Sequence, residues 1–185
     1  MFDFTNRLLL NKHFKMDKGK ISVFKQEGIM IPVTILSGLL KVFEERNAIR
    51  LYNASKKGGI DRIKQMKQDY GNMSNEELIM WGSRLVTFAG WGELNVVSVK
   101  PKNIVITYEV KDSALTETRE KTNKAIDHIL RGLLAGGLSQ GFGSSMEAIE
   151  TQCKAKGNPI CQIIVKEKNT FDKNHPLYKE QVGEN

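Results

Sequence analysis

Two cysteines and a glutamate near the C-terminal end are the residues best suited to chemistry. Cys153 and Cys161 stand eight positions apart, with Lys156-Gly157-Asn158-Pro159 between them. That tetrapeptide is a strong turn signal, because Gly, Asn and Pro favour the backbone angles of a reversal. Antiparallel pairing around it brings the two sulfurs close together. Glu150 lies three residues before Cys153, and in a regular strand such positions face opposite ways. Its carboxylate therefore reaches the same point only through a bend or bulge. Two thiolates and a carboxylate suit zinc, which takes four ligands in structural sites. The fourth is absent from this segment, and the helical stretch upstream offers Asp127 and His128. From spacing alone, a zinc site, two buried free thiols and a disulfide all remain open.

The elements that must position these residues follow from the hydrophobic pattern. Residues 146–153 and 161–166 read as the two strands of the last hairpin. Before them, residues 123–142 read as a long helix, with Ile126, Ile129, Leu130, Leu133, Leu134 and Leu138 at helical spacing. Gly132, Ala135, Gly136 and Ser139 form a neighbouring strip almost without side chains. Glycine costs a helix roughly 1 kcal/mol relative to alanine, so something must approach this strip closely: another helix, the sheet or a ligand. Residues 94–99 and 104–110 read as a hairpin rich in Val and Ile, joined by Lys100-Pro101-Lys102-Asn103.

Further upstream, residues 20–24 suggest a short strand. Residues 28–45 suggest a helix that is apolar on most sides, with Pro32 in its first turn. Residues 48–55 look helical, Gly58-Gly59 reads as a break, and residues 60–70 form a basic amphipathic helix. Ser74 and Glu77 make a capping box for the helix that ends at Gly90-Trp91-Gly92. Residues 111–122 read as a loop. Strands that come in adjacent pairs, rather than alternating with helices, predict an α+β fold: an antiparallel sheet with helices packed on it. One domain is expected over residues 1–168, with a loosely held polar tail over 169–185.

Composition bounds the function. The 185 residues are 40% apolar and 26% charged, and the formal net charge is +7. No apolar run reaches the ~18 residues of a membrane span, and the opening residues lack the order of a signal peptide. A cytoplasmic location is expected. The cations are spread out apart from Lys56, Lys57, Arg62, Lys64 and Lys67, and no aromatics interleave with them, so nucleic-acid binding is not expected. His13 and His175 read as surface residues, and Trp81 and Trp91 as core or rim. No nucleophile elbow surrounds Ser144-Ser145, and no dinucleotide fingerprint includes Gly141-Phe142-Gly143.

The region from Asp127 to Val165 resembles the 4-vinyl reductase domain family. The resemblance rests on Gly132 and Gly136 in a long helix, then Glu150, Cys153, Gly157 and Cys161. It implies a domain that binds hydrocarbons or senses aromatics. Some members form the sensor part of phenol-responsive transcription activators, others stand alone in archaea, and one is associated with bacteriochlorophyll synthesis. The fold is shared with transport-protein-particle subunits, which hold an acyl chain in an apolar core. In the aromatic sensors a zinc sits at a cysteine, the glutamate and the cysteine pair. Glu150, Cys153 and Cys161 match that set, while the first cysteine falls on Asp127, beside His128. The His and Trp that grip phenol find no equivalents here, so phenol specificity is not implied.

The leading expectation is therefore a binding or sensing domain for an apolar small molecule, with a structural zinc at Glu150, Cys153, Cys161 and either Asp127 or His128. Its pocket would lie between the long helix, the 28–45 helix and the sheet, against Gly132, Leu133 and Gly136. A homodimer is expected, since two largely apolar helices are hard to bury in so short a chain, and signal output would pass through a protein partner. A scaffold subunit of a larger assembly and a reductase-type enzyme are the alternatives. Catalysis is disfavoured because no nucleotide motif is visible and a four-ligand zinc leaves no open position.

Overall fold

The structure is a computed structural model and describes residues 13–183 other than Lys102. The opening residues read above for a signal peptide, and Lys102 of the expected turn, lie outside the described residues. The chain enters through a three-stranded antiparallel sheet, β1 (Phe14–Asp17), β2 (Lys20–Val23) and β3 (Gln26–Gly28). Phe24 anchors this sheet, with its ring against His13, Tyr70 and Trp81. His13 is thus a stacked, half-buried residue and not the partnerless surface histidine expected.

Helix α1 (Val33–Tyr70) follows. Its backbone leaves helical geometry only at Asn47 (φ −141°, ψ 24°), so the two helices expected on either side of that point are joined by a kink. The break expected at Gly58-Gly59 does not occur. Helix α2 (Asn75–Phe88) carries the expected capping box: the Ser74 hydroxyl accepts from the Glu77 N–H, and the Glu77 carboxylate accepts from the Ser74 N–H.

A four-stranded antiparallel sheet forms the centre: β4 (Glu93–Lys100), β5 (Val105–Lys111), β6 (Met146–Gln152) and β7 (Cys161–Glu167), in the order β4-β5-β7-β6. Ile106, Tyr108 and Val110 in β5, with Cys161, Ile163 and Val165 in β7, alternate inward and are buried, as expected of a sheet with one face on a core. Between the two hairpins come the short α3 (Ala114–Glu117) and then α4 (His128–Phe142). The molecule is α+β, as the paired strands predicted.

Two expectations need correction. α4 starts at His128 rather than near residue 123, because the Thr122 N–H donates to the Ala155 carbonyl (2.8 Å) and ties this segment to the last hairpin instead of to a helical turn. The segment after residue 169 is not a loosely held tail. It carries α5 (Pro176–Gln181), and Phe171, Tyr178, Gln181 and Val182 are buried.

The core is organised by α1 lying on α4 backbone to backbone. A Cβ on Gly132 would fall on the Tyr52 carbonyl oxygen, and one on Gly136 on the Lys56 carbonyl oxygen. From the other side, a Cβ on Gly59 would lie 2.5 Å from the Leu133 carbonyl oxygen. Both helices therefore present glycine at the crossing, and Gly59 stays helical because the contact outweighs its weak propensity. Gly58, one residue earlier, meets nothing within 4 Å. Gly59→Ala and Gly136→Ala should each lower unfolding free energy by ~2 kcal/mol or more, while Gly58→Ala should raise it by up to ~1 kcal/mol. Urea titration followed by circular dichroism checks both.

Candidate metal centre

The last hairpin gathers the three residues singled out by spacing. Thr151 is an extra residue opposite β7, since Glu150 pairs with Ile163 and Gln152 with Gln162. This is the bulge that Glu150 needed, and it turns the carboxylate to the side of the sheet where Cys153 lies. A 3₁₀ turn over Lys154–Lys156 and Gly157 (φ 92°) reverse the chain. Asn158 locks it by accepting from the Cys153 N–H (3.0 Å). One carboxylate oxygen of Glu150 and the sulfurs of Cys153 and Cys161 lie within 4.8 Å of one another, all buried. The sulfurs are not joined in a disulfide. The Lys154 N–H donates to Cys161 Sγ (3.3 Å), a contact that favours negative charge on sulfur.

Asp127 and His128 stand at the start of α4 but face differently. The Asp127 N–H donates to Glu150 Oε2 (3.3 Å), and its side chain is buried beside that carboxylate. Asp127 Oδ2 and Glu150 Oε1 have no hydrogen-bond partner. Burial, then repulsion from Glu150, holds the Asp127 carboxyl well above the usual carboxylate range. Burial, then the neighbouring Cys153, pushes Glu150 up to about 8. The Cys153 thiol is pushed up by its hydrogen bond with Cys161 and by burial. Each group is thus a buried ligand atom unable to ionise without a cation. His128 is engaged elsewhere: its Nδ1 lies 2.8 Å from Arg131 Nη2 and its Nε2 4.0 Å from Glu44 Oε1. A guanidinium only donates, so Nδ1 accepts and the ring is neutral. Burial first, then the charges of Arg131, Arg119 and Lys124, lower its pKa to about 3.

Sequence reasoning missed the charges around this cluster. Arg131 is fully buried, donates to the Ala148 and Gln181 carbonyls, and lies over the Tyr52 ring at 4.9 Å. Its position was legible, because it follows Asp127 by four residues on the helix face that carries Leu130, Leu134 and Leu138. Edge strand β6 is closed by side chains. Tyr52 Oη accepts from the Ala148 N–H while donating to Glu147, whose other oxygen pairs with Lys56 at 2.7 Å. The Gln181 amide accepts from the Glu150 N–H (2.7 Å) and donates to the Glu150 carbonyl (2.8 Å). Arg119 binds Glu44 through both nitrogens (2.6 and 3.1 Å), fastening the segment before α4 to α1.

Gly132 and Gly136 face α1, and Leu133 is half-buried beside them, so the expected pocket against this strip is filled by the helix. The space the structure offers lies elsewhere. The register shift between Val96 and Ser98 makes Val97 an extra residue and leaves Leu94, Val96 and Val99 opposite Val110, Tyr108 and Ile106, all on the core face. α2 covers only the Leu94 end of that face. An open groove of about 500 Å³ remains, with Ile79, Met80, Leu94, Val96 and Val99 as its apolar lining. Of the expected basic cluster, Lys56 pairs with Glu147, Arg62 donates to the Val23 carbonyl, and Lys67 to the carbonyls of Gln140 and Gly141. These cations are committed to the fold. No helix is long and apolar enough to cross a membrane among the described residues.

Gln181→Ala should cost about 2 kcal/mol by leaving a buried N–H and C=O unpaired, and should speed hydrogen exchange at the Glu150 amide above all others in β6. A second expectation concerns pH. A carboxyl raised on folding favours the folded state while protonated, so its contribution is complete below pH 4.5 and is lost as pH rises toward about 8. Metal-free protein should therefore lose stability from pH 6.5 to 8, a range above most of the His128 titration, and Glu150→Gln should flatten that slope. Denaturation midpoints across this range measure it.

Comparison with known proteins bears on this arrangement. Residues 106–167 match the model of the 4-vinyl reductase domain. No curated protein matches the sequence. The phenol-responsive sensory domain of the transcription activator PoxR, solved with phenol, superposes with a TM-score of 0.77 over 94% of this chain and 92% of its own, at 17% identity. A vinyl-4-reductase family protein from Methanocaldococcus jannaschii gives a TM-score of 0.54 over 76% and 83%, at 18% identity. Trafficking protein particle complex subunit 3 from Naegleria fowleri, covalently bound to palmitic acid, gives 0.51 over 74% and 95%, at 14% identity. At these identities the likeness is one of fold. The resemblance read in the glycine helix, the glutamate and the two cysteines is borne out: over residues 106–167 this chain carries the 4-vinyl reductase domain.

Proposed function

We propose that this chain is a binding or sensing domain for a small apolar molecule, either a hydrocarbon, an aromatic or a lipid-like compound. It would act as a homodimer that passes its signal to a protein partner. The observation that carries the reading is the fold, shared along nearly the whole length with a sensory domain solved with phenol. The apolar groove between α2 and β4 supplies the seat. Its wall is the core face of an edge strand, and a ligand there would cover Val96 and Val99, which are 37% and 46% exposed. Burial of such surface is worth about 25 cal/mol per Å², and the charged rim at Glu76 and Arg84 would orient any polar substituent.

A structural zinc is the second part of the proposal. Glu150, Cys153 and Cys161 would hold it, with Asp127 as the fourth ligand. The fit rests on the donor set, on the closeness of the three ligand atoms, and on the two unpartnered carboxylate oxygens. The ion would supply positive charge to groups that burial otherwise keeps protonated. The residues themselves tie the last hairpin to the start of α4. His128 is left out of the set, because its ring is spent on Arg131 and Glu44.

Protein purified without chelator or added metal should carry about one equivalent of zinc. Cys153→Ser should lose it, Asp127→Ala should weaken it, and His128→Ala should keep it. Because thiols and carboxyl release protons on binding, affinity should rise with pH. Well under about half an equivalent, with both thiols free to react, would overturn the zinc. Mass spectrometry of denatured protein should reveal a co-purified apolar compound, and Val96→Asp should reduce binding of an anilinonaphthalene probe. Equal probe binding by that variant would remove the groove from the proposal.

A further inference from the structure

The first half of α1 is apolar on two opposite faces. Leu36, Ser37 and Leu40 turn inward, and Arg119 reaches Ser37 Oγ across that face. Ile35, Leu39, Val42 and Phe43 recur at the same helical spacing on the other side, and they are 54%, 49%, 73% and 52% exposed. Met30 and Ile31 continue the surface ahead of the helix, at 74% and 39%. We infer that this outward face seats the same face of a second copy of this chain and forms the interface of the homodimer; the inference rests on the dimeric reading given above and locates it.

Area is the first argument. With side chains of this size these exposures leave on the order of 700 Å² of apolar surface, above what a typical monomer shows in one patch and close to one partner's share of a standard interface. Charge is the second. Of the exposed residues from Ile29 to Phe43, only Lys41 is charged. Two copies of a chain with net charge +7 can therefore meet here almost without like-charge contact. A helix lying on an anionic membrane carries cations along its polar face, whereas here the face opposite the apolar stripe is packed into the protein's own core. Shape is the third. A Cβ on Gly38 would meet nothing within 4 Å, so the helix has an open seat beside the bulky Leu39. An antiparallel crossing with its two-fold axis between these positions sets each Leu39 over the other copy's Gly38 and Ile35 against the other copy's Val42. The surface is thus complementary to itself, as an isologous contact requires. The groove beside β4 competes poorly as an interface, because the bulge at Val97 twists that edge away from strand pairing.

The test is sedimentation velocity of the full chain at micromolar concentration, with Leu39→Glu on the stripe and Val97→Glu on the β4 bulge. Wild type and Val97→Glu should be dimers. Leu39→Glu should keep its circular dichroism spectrum and dissociate, with the dissociation constant raised roughly a hundredfold or more. In parallel, Gly38→Cys should form a disulfide-linked dimer on mild oxidation, since Cys153 and Cys161 are both buried. A dimeric wild type whose Leu39→Glu variant stays dimeric, with no cross-link through Gly38→Cys, would overturn this surface and leave the homodimer standing. A monomeric wild type would sink the dimeric reading itself. If that monomer floated with vesicles of anionic lipid and Leu39→Glu did not, the face would belong to a membrane instead.

Discussion

The crossing of α1 and α4 sets the positions of most other parts of this fold. Three glycines, Gly59, Gly132 and Gly136, let two backbones meet without side chains between them. Such an approach tolerates no methyl group, so it fixes both the rotation and the axial position of each helix. Tyr52 and Lys56 on α1 are thereby held against Glu147 on β6. On α4 the same rotation aims Asp127 and Arg131 into the core together with Leu130, Leu134 and Leu138. The hairpin needs no flexibility to meet Asp127, because the helix that carries it is fixed elsewhere.

That placement creates an electrostatic requirement. Arg131, Asp127, Glu150 and the two cysteines are all buried within one region, and isolated charges there cost several kcal/mol each. Arg131 is served by two carbonyls, a histidine nitrogen and an aromatic face, yet its Nε has no partner. One guanidinium cannot neutralise two carboxylates and two thiolates, so without a further cation most of these groups must stay protonated. The upward pKa shifts of Asp127, Glu150 and Cys153 express that deficit. A dication among them removes it, which is why the chemistry of the donor set and the burial of its members argue in the same direction.

Much of this was legible in the sequence where local rules and tertiary packing agree. The Ser74/Glu77 box, the two hairpins and the convergence of Glu150, Cys153 and Cys161 follow from capping, alternation and turn chemistry. The sequence misleads where a long-range contact outweighs a local signal. Gly58-Gly59 has the composition of a break, but Gly59 is demanded by α4 and the helix runs through it. Residues 123–127 have the spacing of a helix start, but Thr122 is tied to Ala155. Arg131 is a charge on a buried face, visible in the pattern once a buried arginine is admitted. In the C-terminal segment Tyr178, Gln181 and Val182 carry helical spacing that its polar composition hides. The glycine strip was ambiguous between a ligand and a helix, and only the position of α1 decides it.

The two edges of the central sheet are treated in opposite ways, and the contrast relates the groove to the metal centre. β6 has its outer hydrogen-bonding groups met by Ser139, Tyr52 and Gln181, so the strand that presents Glu150 is held from both sides. β4 has a bulge and a half-covered apolar face instead. The strand register joins these edges in one row: Leu94 pairs with Val110, and Val110 with Cys161. All three side chains are buried, and two strand spacings put the ends of the row roughly 10 Å apart. A molecule seated in the groove against Leu94 therefore presses on a close-packed row whose far end is a metal-ligand sulfur. Close-packed interiors transmit displacement because they have little free volume. A row of this kind is a route and not a switch, since coupling also needs an element with two arrangements. The segment from Ser113 to Asp127 has the anatomy for it. It begins beside the Trp91 carbonyl next to β4, is clasped midway by Arg119 on Glu44, and ends in Asp127 at the metal centre.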